Sequence, residues 1–336
     1  NDLLKLYPIV LTTADSVVSN YKKYFENGEK IDYVIIDESS QCDILTAIPV
    51  LYLAKQLIVV GDLKQLSAIT DVNEKYLKNQ VDEKYKYSKQ NLLSSIEQTM
   101  EPASQMLLEH YRCDYNIINY CNKYFYDNKL KIYKTSNKSS MSVIDDDKGK
   151  YVDLNEGYKN EREIKTINSQ IDNNIENKFI ITPFRKQADI LREIYGKERC
   201  GTIHTFQGKG EKEVYFSAVL NNTKACINHL KGSNNLFTEQ LINVAVSRAK
   251  DKFVLVADKE FFKKNDENMK NLIEYIETYG DIIPDKTVCI FDYLYKEIES
   301  YQQVIPNIDN PFEEKIHELI SKFISKKEGK YKMVWK

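Results

Sequence analysis

Residues 33–41 read YVIIDESSQ and residues 55–66 read KQLIVVGDLKQL. The apolar runs at 33–36 and 57–60 are too short for buried helices and rich in β-branched residues. That is the composition of neighbouring strands in a parallel sheet covered on both faces. Each run gives way abruptly to acid, Asp37 and Glu38 after the first, Gly61 and Asp62 after the second. Both acid sets therefore face the carboxyl edge, where open α/β sheets bind ligands.

An apolar strand followed by Asp-Glu is the Walker B pattern. Its first carboxylate, Asp37, suits Mg²⁺ held through water, and its second, Glu38, suits orienting or deprotonating an attacking water. Gln65, a neutral amide just past the neighbouring strand, suits sensing a γ-phosphate and positioning that water. The same Asp-Glu pair could instead cap a following helix. The Gly-Asp-x-x-Gln-Leu string after the second strand favours the phosphate chemistry.

A chain of 336 residues has room for about two domains with full apolar cores. The formal charge is −2 and 29% of residues are charged, so no global basic field advertises nucleic acid. A local groove needs none. Tyr is abundant at 24, and Lys greatly outnumbers Arg, which makes each Arg informative. The six Cys are scattered without a C-x-x-C pair and the four His are isolated, so neither a disulfide framework nor a zinc site is indicated. This fits a reducing, cytoplasmic protein. No apolar stretch reaches ~18 residues and the first residues carry no basic-then-apolar pattern, so neither secretion nor membrane spanning is expected.

The strings IIDESSQ and VVGDLKQL resemble motifs II and III of superfamily 1 helicases, in particular the Upf1-like and Dna2-like branch. Similar strings follow in family order: LLEHYRCDYNIINYCNKYFYDNKL from Leu107, ITPFRKQADIL from Ile181, GTIHTFQGKGEKEVYFSAV from Gly201 and INVAVSRAKDKFVLVAD from Ile242. Together they span about Tyr7 to Asp258. The resemblance implies an α/β fold of RecA-like (P-loop NTPase) parallel sheets covered by helices, with the first lobe incomplete and the second complete. It implies ATP and Mg²⁺ as ligands and single-stranded DNA or RNA as the partner moved across the lobes. The expected divisions are 1–105 for the remainder of the first lobe, 106–262 for the second, and 263–336 for a C-terminal extension or the start of an extra module.

On the matching positions the resemblance assigns catalysis to Asp37, Glu38, Gln65, Arg112 and Arg248, and Mg²⁺ to Asp37. Nucleotide contacts fall to Asp37, Gln41, Gln65, Arg112, Gln207, Gly208, Glu211 and Arg248. Arg112 lies in a string similar to the family's Q-Y-R, with His110 in place of Gln. Its fixed, always charged fork suits phosphate oxygens. Arg248 follows small and apolar residues that pack as a buried helix, and from such a helix it would act as an arginine finger on transition-state charge. Thr12, Thr13, Thr182, Pro183, His204 and Thr205 are assigned to the nucleic-acid strand, where hydroxyls meet phosphate oxygens, and Gln187 to the nucleotide cleft or the strand. Helix capping by the threonines and helix opening by Pro183 are structural roles compatible with these. The chain departs from the family at Gly210, where an acid is usual; here the acid comes one residue later, at Glu211.

No G-x-x-x-x-G-K-[ST] occurs, because Gly-Lys at 149, 196, 208 and 329 is never followed by Ser or Thr. The expectation is a fragment, inactive alone, whose missing partner is the N-terminal part of the same protein. Residues 71–90 interleave Lys with Tyr76, Tyr85 and Tyr87, as a strand-stacking surface or a solvated face would. The run Asp145-Asp146-Asp147 reads as a solvated turn or a metal site, and residues 310–319 as an amphipathic helix or the entry of a nuclease-type module. Two rival functions remain, a nucleic-acid-binding module that hydrolyses nothing and a structural scaffold. Neither needs Glu38, Gln65, Arg112 and Arg248 together.

Overall fold

The computed structural model describes residues 6–68, 81–135, 139–146, 152–153, 157–171, 174–233 and 235–284. Residues 310–319, Tyr76 and Asp147 lie outside these. Residues 7–11 form no strand, and Tyr7, Ile9 and Leu11 are exposed. An apolar run becomes a strand only where another strand completes its hydrogen bonds, and among the described residues none pairs with this one.

Strands β1 (Ile31–Ile36) and β2 (Ala54–Val59) pair in parallel, Ile31 opposite Ala54 and Ile36 opposite Val59. Helix α1 (Ile44–Leu53) connects them, capped by the Asp43 carboxylate accepting from Thr46 N at 2.9 Å. Helix α2 (Leu92–Met100) starts with a capping box between Asn91 and Ser94. Val34 and Ile36 pack with Val17, Val50 and Leu53, while Leu57 and Val59 pack with Ala47, Leu92 and Ile96. Because side chains alternate along a strand, Tyr33, Ile35 and Ile58 fall on the other face, where they are exposed. The pair is thus covered on one face, not two, among the described residues. Beyond it come β3 (Glu109–His110), helix α3 (Tyr115–Phe125) and β4 (Lys131–Ile132), with β3 and β4 paired in parallel.

The later elements are β5 (Met141–Asp145), the hairpin β6 (Val152–Asp153) and β7 (Lys159–Asn160), α4 (Glu161–Ile171), β8 (Lys178–Thr182), α5 (Arg185–Tyr195), β9 (Cys200–Thr202), β10 (Glu211–Ser217), α6 (Lys224–Lys231), α7 (Glu239–Ser247), β11 (Ala249–Ala257), α8 (Lys259–Asn265), α9 (Glu267–Tyr279) and β12 (Asp281–Ile283). Six strands form a parallel sheet in the order β12-β5-β11-β10-β8-β9, covered by helices. Strand β12, which the sequence did not advertise, pairs with β5. Ile164, Ile167 and Ile171 line one stripe of α4 and pack with Ile144, Ile180, Val254 and Val256. The two described acids of the run are ion-paired: Asp146 with Arg162 in a buried pair, and Asp145 with Lys259 Nζ at 3.5 Å.

The chain condenses into two compact units. The first comprises Asn1–Ser140, Thr202–Val214 and Leu236–Phe253, and the second Met141–Gly201, Tyr215–Asn235 and Val254–Lys336. Among the described residues no helix is long and apolar enough to cross a membrane, and the five described cysteines are free thiols.

Candidate active site

The first unit brings the ends of β1 and β2 together. Ser39 N donates to Val60 O at 2.8 Å and Val60 N to Ile36 O at 2.8 Å, which locks the acid turn after β1 to the end of β2. Gly61 permits the approach, since a Cβ there would lie 2.6 Å from Ser39 Oγ. Asp37 is exposed, its Oδ1 accepting from Glu38 N at 2.9 Å. Glu38 has φ 52° and ψ 38°, a left-handed conformation uncommon for residues other than glycine. Its Oε2 accepts from Gln41 Nε2 at 2.9 Å. Gln41 therefore holds the glutamate.

The loop after β2 is tied down by three other segments of the unit. Asp62 Oδ1 accepts from Lys64 N at 2.8 Å. Its Oδ2 accepts from Gln65 Nε2 at 3.2 Å and from the Tyr126 hydroxyl at 2.6 Å. Asn243 Nδ2, on α7, donates to Lys64 O and to the Tyr126 hydroxyl, both at 2.8 Å. Gln207 Nε2 donates to Leu66 O at 3.0 Å. Gln207 thus spends an amide proton on the Gln65 loop. Tyr126 and Asn243 escaped the sequence reading; an Asn inside the apolar run of α7 was the signal for one, and nothing marked the other among so many tyrosines.

Arg112 and Arg248 meet at the glycine turn before β10. A Cβ on Gly210 would lie 1.7 Å from Arg112 Nη2. The guanidinium therefore occupies the space that a side chain at 210 would fill, which is why this turn carries glycine. Arg248 is not within the helix but at its C-cap, 4% exposed. Its Nε donates to Val244 O at 3.2 Å and its Nη1 to Lys209 O at 2.9 Å, so the side chain turns back over α7 and the turn instead of projecting freely. Burial, and then the neighbouring Arg112 charge, pull its pKa down to about 10, while Glu38 acts the other way. Gly208, at φ 77°, approaches Glu38 Oε1, its ideal Cβ position 4.0 Å away. Glu38, Arg112, Arg248 and the 208–210 turn are thus one neighbourhood. Glu211 N donates to Arg248 O at 3.0 Å, and its carboxylate accepts from Lys212 N.

His110, in place of the expected Gln, accepts from Cys113 N through Nε2 at 2.9 Å. Burial, then Arg112 and Lys134, lower its pKa, which keeps that nitrogen an acceptor. The exposed ring of Tyr111 stacks on Tyr133 with centroids 4.7 Å apart, a flat surface beside Arg112.

Thr12, Thr13, His204 and Thr205 are exposed in the first unit, with the Thr202 and Thr205 hydroxyls 3.1 Å apart. Thr182 belongs to the second unit and is fully buried, its Oγ1 accepting from Phe184 N at 3.4 Å; Pro183 is half-buried. Gln187 requires a correction. It is fully buried and bonded to Asn160 and Ser217, so it faces neither a nucleotide nor a strand. The first turn of α5, just after the strand-end Pro, points this side chain into the core.

Among the described residues no cluster of three or more His, Cys, Asp or Glu could enclose a metal. The exposed Asp37 carboxylate fits a cation that keeps most of its waters and takes its other ligands from phosphate, as Mg²⁺ does. Neither guanidinium has a carboxylate partner among the described residues. Two close cations with no bonded carboxylate, and only Glu38 nearby as an opposite charge, suit a polyanion.

A family model described as AAA domain matches residues 88–260, and a second, also described as AAA domain, matches residues 1–72. The chain is 28% identical over 265 residues to helicase sen1 of Schizosaccharomyces pombe, covering 69% of this chain and 15% of that protein. It is 23% identical over 275 residues to the DNA replication ATP-dependent helicase/nuclease DNA2 of Gallus gallus, covering 76% of this chain and 26% of that one. It is 26% identical over 288 residues to the probable helicase senataxin of Homo sapiens, covering 77% of this chain and 10% of that protein. The chain therefore spans about a quarter or less of the length of these relatives. With family models matched across the ends of β1 and β2 and the two arginines, the chain belongs to the AAA-domain superfamily 1 helicases of the Upf1-like and Dna2-like branch.

Proposed function

We propose that this chain is the motor region of an ATP-dependent helicase, coupling nucleotide hydrolysis to movement along single-stranded nucleic acid. The observation that carries the reading is the pair Arg112 and Arg248 beside Glu38, with no carboxylate bonded to either arginine among the described residues. Holding like charges together is unfavourable, and the arrangement becomes favourable when a triphosphate supplies the counter-charge. Glu38 accepts the proton of the attacking water and Gln65 orients that water. Arg112 and Arg248 stabilise charge developing on the transferred phosphoryl group. Asp37 would hold Mg²⁺, which supplies further neutralisation of phosphate oxygens. The exposed Tyr111 ring suits stacking by a nucleobase. Thr12, Thr13, His204 and Thr205 are exposed polar groups of the first unit suited to strand phosphates; Thr182, fully buried like Gln187, presents no hydroxyl to a strand. Gln41, Gln207, Gly208 and Glu211 line and brace the nucleotide side.

The test is phosphate release by the full-length protein with and without single-stranded oligodeoxynucleotide or oligoribonucleotide. Strand-stimulated release is expected, and the more effective strand identifies DNA or RNA as the track. Glu38→Gln should keep ATP affinity and cut release by roughly a hundredfold or more, as loss of a positioned base does. Strand binding without any strand-dependent release would make the protein a binding module instead.

A further inference from the structure

We infer that Tyr126 is a positioning residue of this site: its hydroxyl fixes the side-chain amide of Gln65 through Asp62 and ties that orientation to Asn243 on α7. The inference rests on the reading of Gln65 as the water-orienting residue.

Hydrogen-bond accounting carries it. The phenol has one proton, and Asp62 Oδ2 takes it at 2.6 Å. The phenol oxygen in turn accepts from Asn243 Nδ2, whose amide group also donates to Lys64 O. Asn243 cannot be turned over without setting its Oδ1 against the Lys64 carbonyl, so its donors are committed. The same Asp62 oxygen receives Gln65 Nε2 at 3.2 Å. Gln65 is thereby held with its nitrogen toward Asp62, leaving Oε1 as the acceptor for a water. Asn243 is 1% exposed, and among the described residues its Oδ1 has no hydrogen-bond partner, while its amide group is aimed at Tyr126 and Lys64. Burial and the Asp62 carboxylate raise the Tyr126 pKa, so the hydroxyl remains a donor across the working pH range. Remove it, and Asp62 loses its shorter bond while Asn243 loses an acceptor. Gln65 is then held less firmly, and α7, which leads into Arg248, keeps only the Asn243 bond to Lys64 O on the loop after β2.

The experiment compares wild type, Tyr126→Phe, Gln65→Ala and the double variant in the full-length protein, measuring strand-stimulated kcat, ATP Kd and Tm. Tyr126→Phe should lower kcat by about tenfold while Kd stays within about threefold. In the Gln65→Ala background the same change should cost almost nothing, because residues acting as a unit are non-additive. Independent, multiplicative effects overturn the inference. So does a Tyr126→Phe variant that turns over like wild type, or one whose kcat, Kd and Tm fall together in both backgrounds. If Gln65→Ala and Glu38→Gln both hydrolyse at wild-type rates, the catalytic reading itself fails and the positioning role falls with it.

Discussion

Arg248 turns three of its donors to its own helix and the neighbouring turn, and among the described residues no carboxylate bonds it. Arg248→Ala should lower kcat by roughly 10³-fold, with a smaller fall in nucleotide affinity, because the charge it meets develops in the transition state. Arg248→Lys should not rescue, since a point charge on a flexible stem does not reproduce the planar guanidinium fork. A Lys variant near wild-type kcat would reduce Arg248 to a packing residue. Gly210 offers a complementary test. Its ideal Cβ position overlaps the Arg112 guanidinium, the mobile end of a long side chain, so Gly210→Ala should displace Arg112 and spare the backbone. We expect kcat within about threefold of Arg112→Ala, a Tm near wild type, and no further loss in the double variant. Asp37, Glu38, Gln65 and both arginines were nameable from strand-end acids and from strings in family order. The glycine at 210 was visible only as a departure from pattern, because its cause lies about a hundred residues away in Arg112.

Helices and strands whose burial follows the period of the chain were legible. The isoleucine stripe of α4, the bounds of α5 and the β1/β2 pair are of this kind, since their cores need only local alternation and one covering layer. Elements decided by a distant partner were not. Residues 7–11 have strand composition and no strand to pair with, while β12 has three residues and finds β5. The Asn91 capping box is local, and Asn91→Ala should cost α2 about 1 kcal/mol in urea unfolding. The junction of β10 and α4 is less local. Val219, β-branched, sits at φ 70°, with Leu220 N donating to Ala218 O at 2.8 Å across it, a strained three-residue turn. Both carboxylate oxygens of the fully buried Glu163 accept from Val219 N at 2.9 Å. Burial, then Asp146, push the Glu163 pKa well above 4.5. The folded chain thus holds this proton more tightly than the unfolded one, so the associated stability is complete below 4.5 and is lost as pH rises toward the folded value. Glu163→Gln keeps an acceptor for Val219 and cannot ionise. Its Tm should therefore fall less than that of wild type between about pH 5 and about pH 8; an unchanged slope would assign the pH dependence elsewhere.

The two units are not consecutive pieces of chain. Each is built from three segments, and β10 and β11 each begin in the first unit and end in the second. A strand cannot melt over half its length without losing the ladder of the rest, so urea unfolding followed by far-UV circular dichroism and by tyrosine fluorescence should give coincident transitions. Separate midpoints would mean that the units unfold independently. The interleaving also sets an order of birth. When Ser140 leaves the ribosome, Glu38, Asp62 and Tyr126 exist, but the glycine turn, Asn243 and Arg248 have yet to be translated. Nascent chains fold from their amino end as they emerge, so Tyr126 waits for Asn243 through about a hundred further residues of synthesis, and a chain stalled between them carries Glu38 and Arg112 but neither Asn243 nor Arg248.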